Sequence, residues 1–187
     1  FDLNEIKIQK YADNSLICIE ECSFAHSTSL KEISIPNSIQ RIESDAFINC
    51  QNLEIVKFMP GCQLKEIPKY CFAFSGLKEI NLPSSIEIID QSSFYFCQNL
   101  EKINLHETKL KYIFDSAFVG TNIKEIIFPT TTVFIDNHSF EETKSLKIVD
   151  FTQLNLVSNF KPPNKHLRFN KYKNKYELIC ASLCFHG

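Results

Sequence analysis

The sequence is poor in glycine, with only four in 187 residues. The four stand apart in the chain, at Gly61, Gly76, Gly120 and Gly187. None belongs to a glycine-rich loop of the kind that cradles phosphate groups, so we expect no nucleotide site. The five histidines are also dispersed, and no nucleophile motif accompanies them. The sequence therefore predicts no enzyme, no cofactor and no small-molecule substrate.

Long apolar runs are missing as well. No stretch approaches the roughly 18 consecutive apolar residues that a membrane-spanning helix needs. The chain begins at Phe1 without a methionine or a charged-then-apolar leader, so we expect a fragment or a processed product. A net charge of −2 and a hydrophobic content of 44% are ordinary for a globular protein, and they do not indicate a nucleic-acid partner.

What the sequence contains instead is a repeat with a period of 23 or 24 residues. Each copy opens on an aliphatic residue, and two further apolar residues follow at the third and fifth positions after it. The openers are Leu30, Leu53, Leu77, Leu100, Ile123 and Leu146. The later pair alternates with polar residues, as in a half-buried strand. A fixed period of this size predicts a stacked repeat protein whose successive strands form a parallel sheet.

A phenylalanine recurs in the second half of each copy, always five residues after an aliphatic residue. The column consists of Phe24, Phe47, Phe72, Phe94, Phe118 and Phe140. We expect these rings to stack as a buried spine. Polar clusters just before them, such as residues 43–45, predict caps for a short helical turn. An irregular first copy runs from Leu3, Ile6 and Ile8 to Phe24, which gives about seven copies over residues 1–157.

The string L-x-x-I-x-I-P-x-x-I-x-x-I-x-x-x-A-F, which residues 30–47 match best together with residues 77–94, resembles the BspA-like branch of the leucine-rich repeat family. The resemblance extends from residue 3 to about 157. It implies an α/β repeat solenoid, a right-handed coil with a parallel concave sheet and short helical turns or loops on the convex side. It also implies a non-catalytic protein-interaction or adhesion module, associated with the cell surface or plasma membrane.

The alternative hypothesis is an intracellular, cytoplasmic scaffold or regulatory subunit. Residues 147–151 (KIVDF) and 124–128 (KEIIF) both resemble the docking motif by which regulatory subunits bind protein phosphatase 1. In the predicted strands the apolar residues of both strings belong to the core, so docking would require them to leave the interior.

The open face of the predicted sheet is the candidate protein-binding surface. Ile55, Ile127 and Ile148 are apolar where the sister copies carry polar residues, and an apolar patch with a polar rim is typical of an interface. The candidate residues are Ile55, Lys102, His106, Ile127, Ile148 and Asp150. Alternatively, a terminal cap or a second copy of the chain buries the isoleucines. Glu79, Lys102 and Glu125 should form a ladder of opposite charges across neighbouring strands.

Residues 158–187 depart from the repeat and are predicted to form a C-terminal cap with a basic outer face. The basic residues are Lys161, Lys165, Arg168, Lys171, Lys173 and Lys175. The alternative is that this patch contacts a phosphate-rich partner or, peripherally, an anionic membrane surface.

Eight cysteines would suggest disulfides in a small secreted domain, but four of them occupy repeat columns that explain them as free thiols. Cys50 and Cys97, for example, lie in a column of small residues. The pairs Cys18/Cys22 and Cys180/Cys184 each offer two sulfurs to zinc, but the predicted stack places the pairs at opposite ends, so no metal site is expected. Residues 137–139 (NHS) fit the N-glycosylation pattern, which matters only in an exported protein.

Overall fold

The computed structural model describes the backbone of residues 8–10, 16–136, 138–150, 167–170 and 175–178, and the side chains of residues 17–136 and 138–150. The strands in chain order are β1 (Ile8–Lys10), β2 (Leu16–Ile19), β3 (Glu32–Ile35), β4 (Arg41–Ile42), β5 (Ile55–Phe58), β6 (Glu66–Ile67), β7 (Glu79–Ile80), β8 (Ile88–Ile89), β9 (Lys102–Ile103), β10 (Tyr112–Ile113), β11 (Glu125–Ile127), β12 (Phe134–Ile135), β13 (Ile148–Asp150), β14 (Leu167–Asn170) and β15 (Lys175–Leu178). A short 3-10 helix, Leu105–Glu107, lies between β9 and β10.

These strands build a parallel β-solenoid of about six turns. The first row of strands contains β3, β5, β7, β9, β11 and β13, which are the strands that the sequence pattern predicted. Three in-register parallel pairs are formed, with Glu32 opposite Ile55, Glu79 opposite Lys102 and Glu125 opposite Ile148. The predicted parallel pairing of successive copies is therefore confirmed for these pairs.

A second row of short strands follows in each turn, and the sequence analysis did not predict it. Strands β6, β8, β10 and β12 form one continuous parallel sheet, and β4 pairs in parallel with β2. Most of these strands contain only two residues, as in Ile88–Ile89. A stretch of two residues shows no alternation of apolar and polar side chains, so its periodicity could not be read.

The corner that carries the phenylalanine column is not helical, so the predicted helical turns and the α/β class are wrong for the described part of the chain. Around Phe47, for example, Asp45 and Asn49 have left-handed φ angles of 59° and 57°. The amides of Asp45, Phe47 and Asn49 donate to carbonyls of the next turn at 2.8–3.0 Å, whereas the amide of Ile48 donates back to Asp45 in its own turn. This alternation satisfies the backbone groups without a helix.

The predicted aromatic spine is confirmed. Phe24, Phe47, Phe72, Phe94, Phe118 and Phe140 are all buried. Consecutive ring centroids lie 4.9–5.6 Å apart, and the ring planes differ by 3–15°. Every ring is thus stacked on the ring of the neighbouring turn, and the spine runs through the hydrophobic core from one turn to the next.

The cysteines of the described side chains carry free thiols. Cys50 donates to the carbonyl of Phe24 at 3.0 Å, and Cys97 donates to the carbonyl of Phe72 at 2.9 Å. Burial raises the pKa of each of these two thiols to about 11. Both cysteines therefore act as small buried donors beside the spine, as their repeat column indicated. Cys180 and Cys184 lie outside the described residues.

The two ends of the stack differ from its middle. Strand β1 is antiparallel to β2, so Ile8 belongs to a hairpin rather than to a parallel turn as the first copy predicted; Leu3 and Ile6 lie outside the described residues. At the other end, β15 pairs with β13 and with β14, both antiparallel. A hairpin from the C-terminal segment thus extends the first row. Among the described residues, no helix has the length and apolar character needed to cross a bilayer.

Candidate functional site

The open-face residues predicted from the sequence do not form one patch. Ile55 is 42% exposed, whereas Ile127 and Ile148 are half-buried. In the register of β11 and β13, Ile127 lies opposite Asp150 and Ile148 lies opposite Glu125, so the two isoleucines are diagonal neighbours. Ile55 is three strands away from Ile127, a separation of about 14 Å. The first row therefore exposes isolated apolar residues instead of a continuous surface.

Lys102 and His106 are both exposed on this side of the solenoid. His106 belongs to the short 3-10 helix, and its Nε2 atom lies 3.8 Å from an oxygen of Glu107. The Asn104 side chain accepts from the Leu82 amide at 2.7 Å, which ties the start of that helix to the preceding turn. The half-buried Asp150 lies at the end of β13.

The ion pairs of the first row involve other residues than the predicted ladder of Glu79, Lys102 and Glu125. Lys57 of β5 pairs with Glu32 of β3. Lys78 contacts Glu54 at 2.7 Å, and Lys124 contacts Glu101 at 2.6 Å. The hydrogen bond from Lys124 also lowers the pKa of Glu101. The ion pairs of residues 17–136 and 138–150 do not include the predicted pairing of Lys102 with Glu79. Apart from the pair of Lys57 with Glu32, the ion pairs of this face thus join residues that immediately precede the strands.

Among the described side chains, the largest group of exposed apolar residues lies on the second row, which the sequence analysis did not consider. We call Tyr112, Phe114, Val133 and Phe134 the aromatic patch; they are 38%, 37%, 64% and 44% exposed. The rings of Tyr112 and Phe114 stack with centroids 6.2 Å apart, and those of Phe114 and Phe134 lie 6.0 Å apart. Tyr112 is directly opposite Phe134 in the pairing of β10 with β12. The four residues thus form a contiguous surface over two adjacent turns.

The same surface carries charged residues in two of the earlier turns. The position of Tyr112 and Phe134 is occupied by Arg41 in β4, by Glu66 in β6 and by Ile88 in β8. At the edge of the patch, Glu87 contacts both Lys111, at 2.6 Å, and Lys65, at 3.2 Å. The hydrogen bonds from these two lysines lower the pKa of Glu87. The outer surface of the second row therefore changes along the stack from charged residues, through Ile88, to aromatic ones, and a comparison of equivalent positions in the sequence would have revealed this change.

A second set of rings, with Phe74 exposed and Tyr95 and Phe96 half-buried, lies at the corner of the stack, outside the aromatic patch. The rings of Phe74 and Tyr95 meet edge to face at 5.5 Å, and Phe96 packs 6.0 Å from Phe74 and 4.7 Å from Tyr95. The Nζ atom of Lys69 lies 5.2 Å from the centre of the Tyr70 ring. This corner cluster was also missed, because the sequence analysis compared outward-facing positions only on the first row.

Within the described part of the chain, one group of side chains has ligand atoms close enough together to hold a metal ion. Asp115, Asp136 and His138 bring one ligand atom each to within 4.8 Å of one another. Asp115 accepts from Ser116 at 3.1 Å, and Asp136 accepts from the His138 amide at 2.8 Å. Since these local hydrogen bonds already explain the carboxylates, we assign no metal to this group.

The predicted basic patch falls largely outside the described residues, as Lys161, Lys165, Lys171 and Lys173 do. Arg168 lies in β14 and Lys175 in β15, where the backbone register places Lys175 opposite Asp150. Asn137 also lies outside the described residues.

The strings that resemble a phosphatase-docking motif are part of the core. Ile126 and Phe128 are buried, and so is Val149 of the second string; Phe151 lies outside the described residues. Docking through these residues would therefore expose the hydrophobic core.

The comparisons with known proteins agree with this geometry. A family model for the BspA type leucine-rich repeat region matches residues 17–147 in 6 copies. The solved structures that resemble the chain include that of the pneumococcal vaccine antigen PcpA, with a TM-score of 0.62 and 27% identity over 85% of this chain and 35% of that one. A leucine-rich cell surface protein from Faecalibacterium prausnitzii A2-165 has a TM-score of 0.57 and 18% identity over 95% of this chain and 50% of that one.

The chain thus spans about a third to a half of the length of these two proteins. None of the curated proteins searched matches it. The family match covers more than half of the chain and coincides with the turns of the solenoid. The protein is a member of the BspA-type leucine-rich repeat family.

Proposed function

We propose that the protein is a non-catalytic protein-binding module whose partner docks on the aromatic patch. The observation that carries the proposal is the contact between Tyr112, Phe114 and Phe134, each more than a third exposed on adjacent turns. Exposed aromatic side chains in contact supply large apolar area with few rotatable bonds, and such residues dominate binding energy at protein interfaces. Leucine-rich repeat proteins typically serve as protein-interaction modules, which supports the same function.

The position of the patch in the repeat supports this proposal. A solenoid needs its inward-facing residues for stability, but its outward-facing positions are free to vary from turn to turn. Arg41 and Glu66 keep equivalent positions of the second row charged. Replacing such charges by Tyr112 and Phe134 gives no core packing, because both rings remain exposed. A partner that covers the rings would explain why aromatic residues occupy these exposed positions.

Adhesion at a cell surface belongs to the same proposal. A location at the cell surface is in keeping with the similarity to the pneumococcal vaccine antigen, at 27% identity, and the adhesive role is our own proposal. The competing hypothesis is an intracellular scaffold, and the two differ in where the partner is found. An adhesion module should capture its partner from an extracellular-matrix extract, whereas a scaffold should capture it from a cytosolic extract.

The experiment compares the wild-type protein with two variants that copy other turns of the repeat. Phe134→Arg places on β12 the residue that β4 carries as Arg41, and Ile55→Glu places on β5 the residue that β3 carries as Glu32. Immobilised proteins are exposed to both extracts, and the captured material is measured by quantitative mass spectrometry. Circular dichroism confirms that each variant is folded.

The proposal expects Phe134→Arg to reduce capture at least about tenfold, as loss of an interface anchor does, and Ile55→Glu to leave it unchanged. If folded Phe134→Arg captures as much as the wild type and Ile55→Glu loses capture, the proposal is contradicted and the binding site lies on the first row.

A further inference from the structure

A groove of about 460 Å³ lies at the corner of the stack and shares no residue with the aromatic patch. Its aromatic residues, Tyr70, Phe74 and Tyr95, come from the two middle turns. Asp45 comes from the turn before them and Asp115 from the turn after them, so the groove carries a carboxylate towards each end. The remaining lining residues are Ile48, Gln91, Ser92 and Ser116.

The aromatic residues present ring surfaces that suit a cation. Lys69 of the chain itself already lies 5.2 Å from the centre of the Tyr70 ring. Tyr95 and Phe74 meet edge to face beside it at 5.5 Å. The face of an aromatic ring is electron-rich, so it attracts ammonium and guanidinium groups.

The backbone at Phe74 is unfavourable for a residue of this size. Phe74 has a left-handed φ of 58°, a region that disfavours bulky side chains, and its side chain is 40% exposed. The equivalent position, two residues after the spine phenylalanine, is left-handed in the other turns as well, where it carries His26, Asn49, Phe96, Gly120 and Glu142. The conformation therefore belongs to the repeat, and in this turn it places a large exposed ring beside Tyr95, where the ring lines the groove.

The two carboxylates at the ends of the groove have no lysine or arginine partner among the described side chains. Glu54, Glu87 and Glu101 each contact a lysine. Asp45 has no ion-pair partner within residues 17–136 and 138–150. The nearest cationic group to Asp115 is the Nδ1 atom of His138 at 3.8 Å, which is charged only when protonated. Asp115 is held instead by neutral donors, Ser116 at 3.1 Å and Gln91 at 3.4 Å. The groove therefore has negative charge at both ends, and no described lysine or arginine lies within ion-pair distance of either carboxylate.

The spacing of the carboxylates indicates the kind of ligand that fits. Asp45 and Asp115 are three turns apart, a separation of about 15 Å along the stack. In an extended peptide, side chains four residues apart lie on the same side and about 13 Å from each other. Long basic side chains at these two positions would reach both carboxylates. The residue midway between them would pack on the rings.

We propose that this corner groove binds an extended basic segment of a partner protein, with arginine or lysine at two positions four residues apart. Asp45 and Asp115 each pair with one basic side chain of the segment. Phe74 and Tyr95 contact the aliphatic stem of one of these side chains and the residue midway between the two basic positions. The proposal goes beyond the proposed function, because it concerns another surface and does not require the aromatic patch to bind anything.

Isothermal titration calorimetry with two synthetic peptides of identical composition tests the spacing. Acetyl-Gly-Arg-Ser-Leu-Ser-Arg-Gly-amide has its arginines four positions apart, and acetyl-Gly-Arg-Arg-Ser-Leu-Ser-Gly-amide has them adjacent. The groove should bind the first peptide at least about threefold more tightly than the second, since only the first reaches both aspartates.

Three substitutions test the residues, and each is chosen to leave the fold intact. Asp45→Asn keeps a residue that tolerates the left-handed φ of 59° found there. Asp115→Asn keeps an oxygen for the hydrogen bond from Ser116. Phe74→Asn introduces the residue found at the equivalent Asn49. Each should weaken binding of the first peptide about threefold to fivefold. Glu54→Gln removes the same charge from the first row and should have no effect.

The proposal is overturned by equal affinities for the two peptides, by undiminished affinity in the aspartate variants, or by no heat of binding at millimolar peptide. Phe134→Arg gives a separate control, because it removes part of the aromatic patch and should bind the first peptide as the wild type does. A failure of the groove and a failure of the aromatic patch are thereby distinguished.

Discussion

The ring of Phe96 packs directly against the backbone of Gly120. A Cβ atom added at Gly120 would lie 3.1 Å from two atoms of that ring, and the φ of Gly120 is +70°. Both the contact and the backbone conformation therefore favour glycine at this position. The backbone of the following turn thus supports the corner cluster through its contact with the Phe96 ring.

Gly120→Ala should destabilise the protein by about 1–3 kcal/mol, because it adds left-handed strain and displaces the Phe96 ring. Gly61→Ala is the matched control. Gly61 has a φ of +85°, but the nearest atom to an added Cβ is a side-chain nitrogen 3.7 Å away. Urea unfolding of both variants measures the two costs. An equal loss of stability in the two variants would show that the ring contact contributes nothing.

The spine should account for much of the stability of the stack. Phe94 is fully buried and is stacked on Phe72 at 5.6 Å and on Phe118 at 5.3 Å. Truncation to alanine leaves a cavity between two rings, so Phe94→Ala should cost about 3–5 kcal/mol of unfolding free energy. Phe134→Ala, which removes an exposed ring, should cost less than about 1 kcal/mol. Equal melting temperatures for these two variants would contradict the structural role of the spine.

The buried thiols should make the protein sensitive to alkali. Burial raises the pKa of Cys50 and Cys97 from 9.0 to about 11. Above about pH 9 the unfolded chain loses these protons while the folded chain keeps them, so the free energy of unfolding falls as the pH rises towards about 11. The loss is on the order of 2 kcal/mol for each thiol.

A variant with threonine in place of both cysteines provides the control, because Thr121 and Thr143 occupy the same repeat column as Cys50 and Cys97. Thr121 donates to the Phe118 carbonyl at 2.9 Å, so the column accepts a hydroxyl. The free energy of unfolding of the wild type and of the double variant is measured by urea unfolding between pH 8 and 11. The double variant should lose less stability over this range, and parallel curves would show that these thiols do not titrate as expected.

The sequence predicted the parts of the fold in which side-chain type and burial repeat together. Leu53 and Val56 belong to an apolar pattern that recurs in every turn, and both are buried. The phenylalanine column was recognised for the same reason. The second row was not recognised, because a strand as short as Ile88–Ile89 gives no alternation to read. Periodicity thus identified the core, and only one of the two strand rows.

The corner backbone was predicted incorrectly because its conformation has no compositional signature. Left-handed residues are usually glycine or asparagine, but here they include Cys22, Tyr70 and Phe74. Polar residues before the spine were therefore interpreted as helix caps. The hydrogen bonds between turns, such as that from the Phe72 amide to the Ser93 carbonyl at 2.8 Å, favour the alternating backbone instead, and a sequence pattern does not reveal them.

The aromatic patch was not found from the sequence for a related reason. The search compared outward-facing residues of the first row only, and it found Ile55, Ile127 and Ile148. Tyr112 and Phe134 occupy equivalent positions in adjacent turns of the second row, which had not been identified as strands. Aromatic residues at these positions were therefore not compared with the charged Arg41 and Glu66.

Hydroxyl-radical footprinting of the protein, free and bound to its captured partner, tests the central claim most directly. Oxidation of Tyr112, Phe114 and Phe134 is measured by mass spectrometry, with the exposed Met59 beside the first row as an internal reference. The account predicts that partner binding protects the three aromatic residues and leaves Met59 as reactive as before. Protection of Met59 and Ile55, with unchanged oxidation of the aromatic patch, would contradict it.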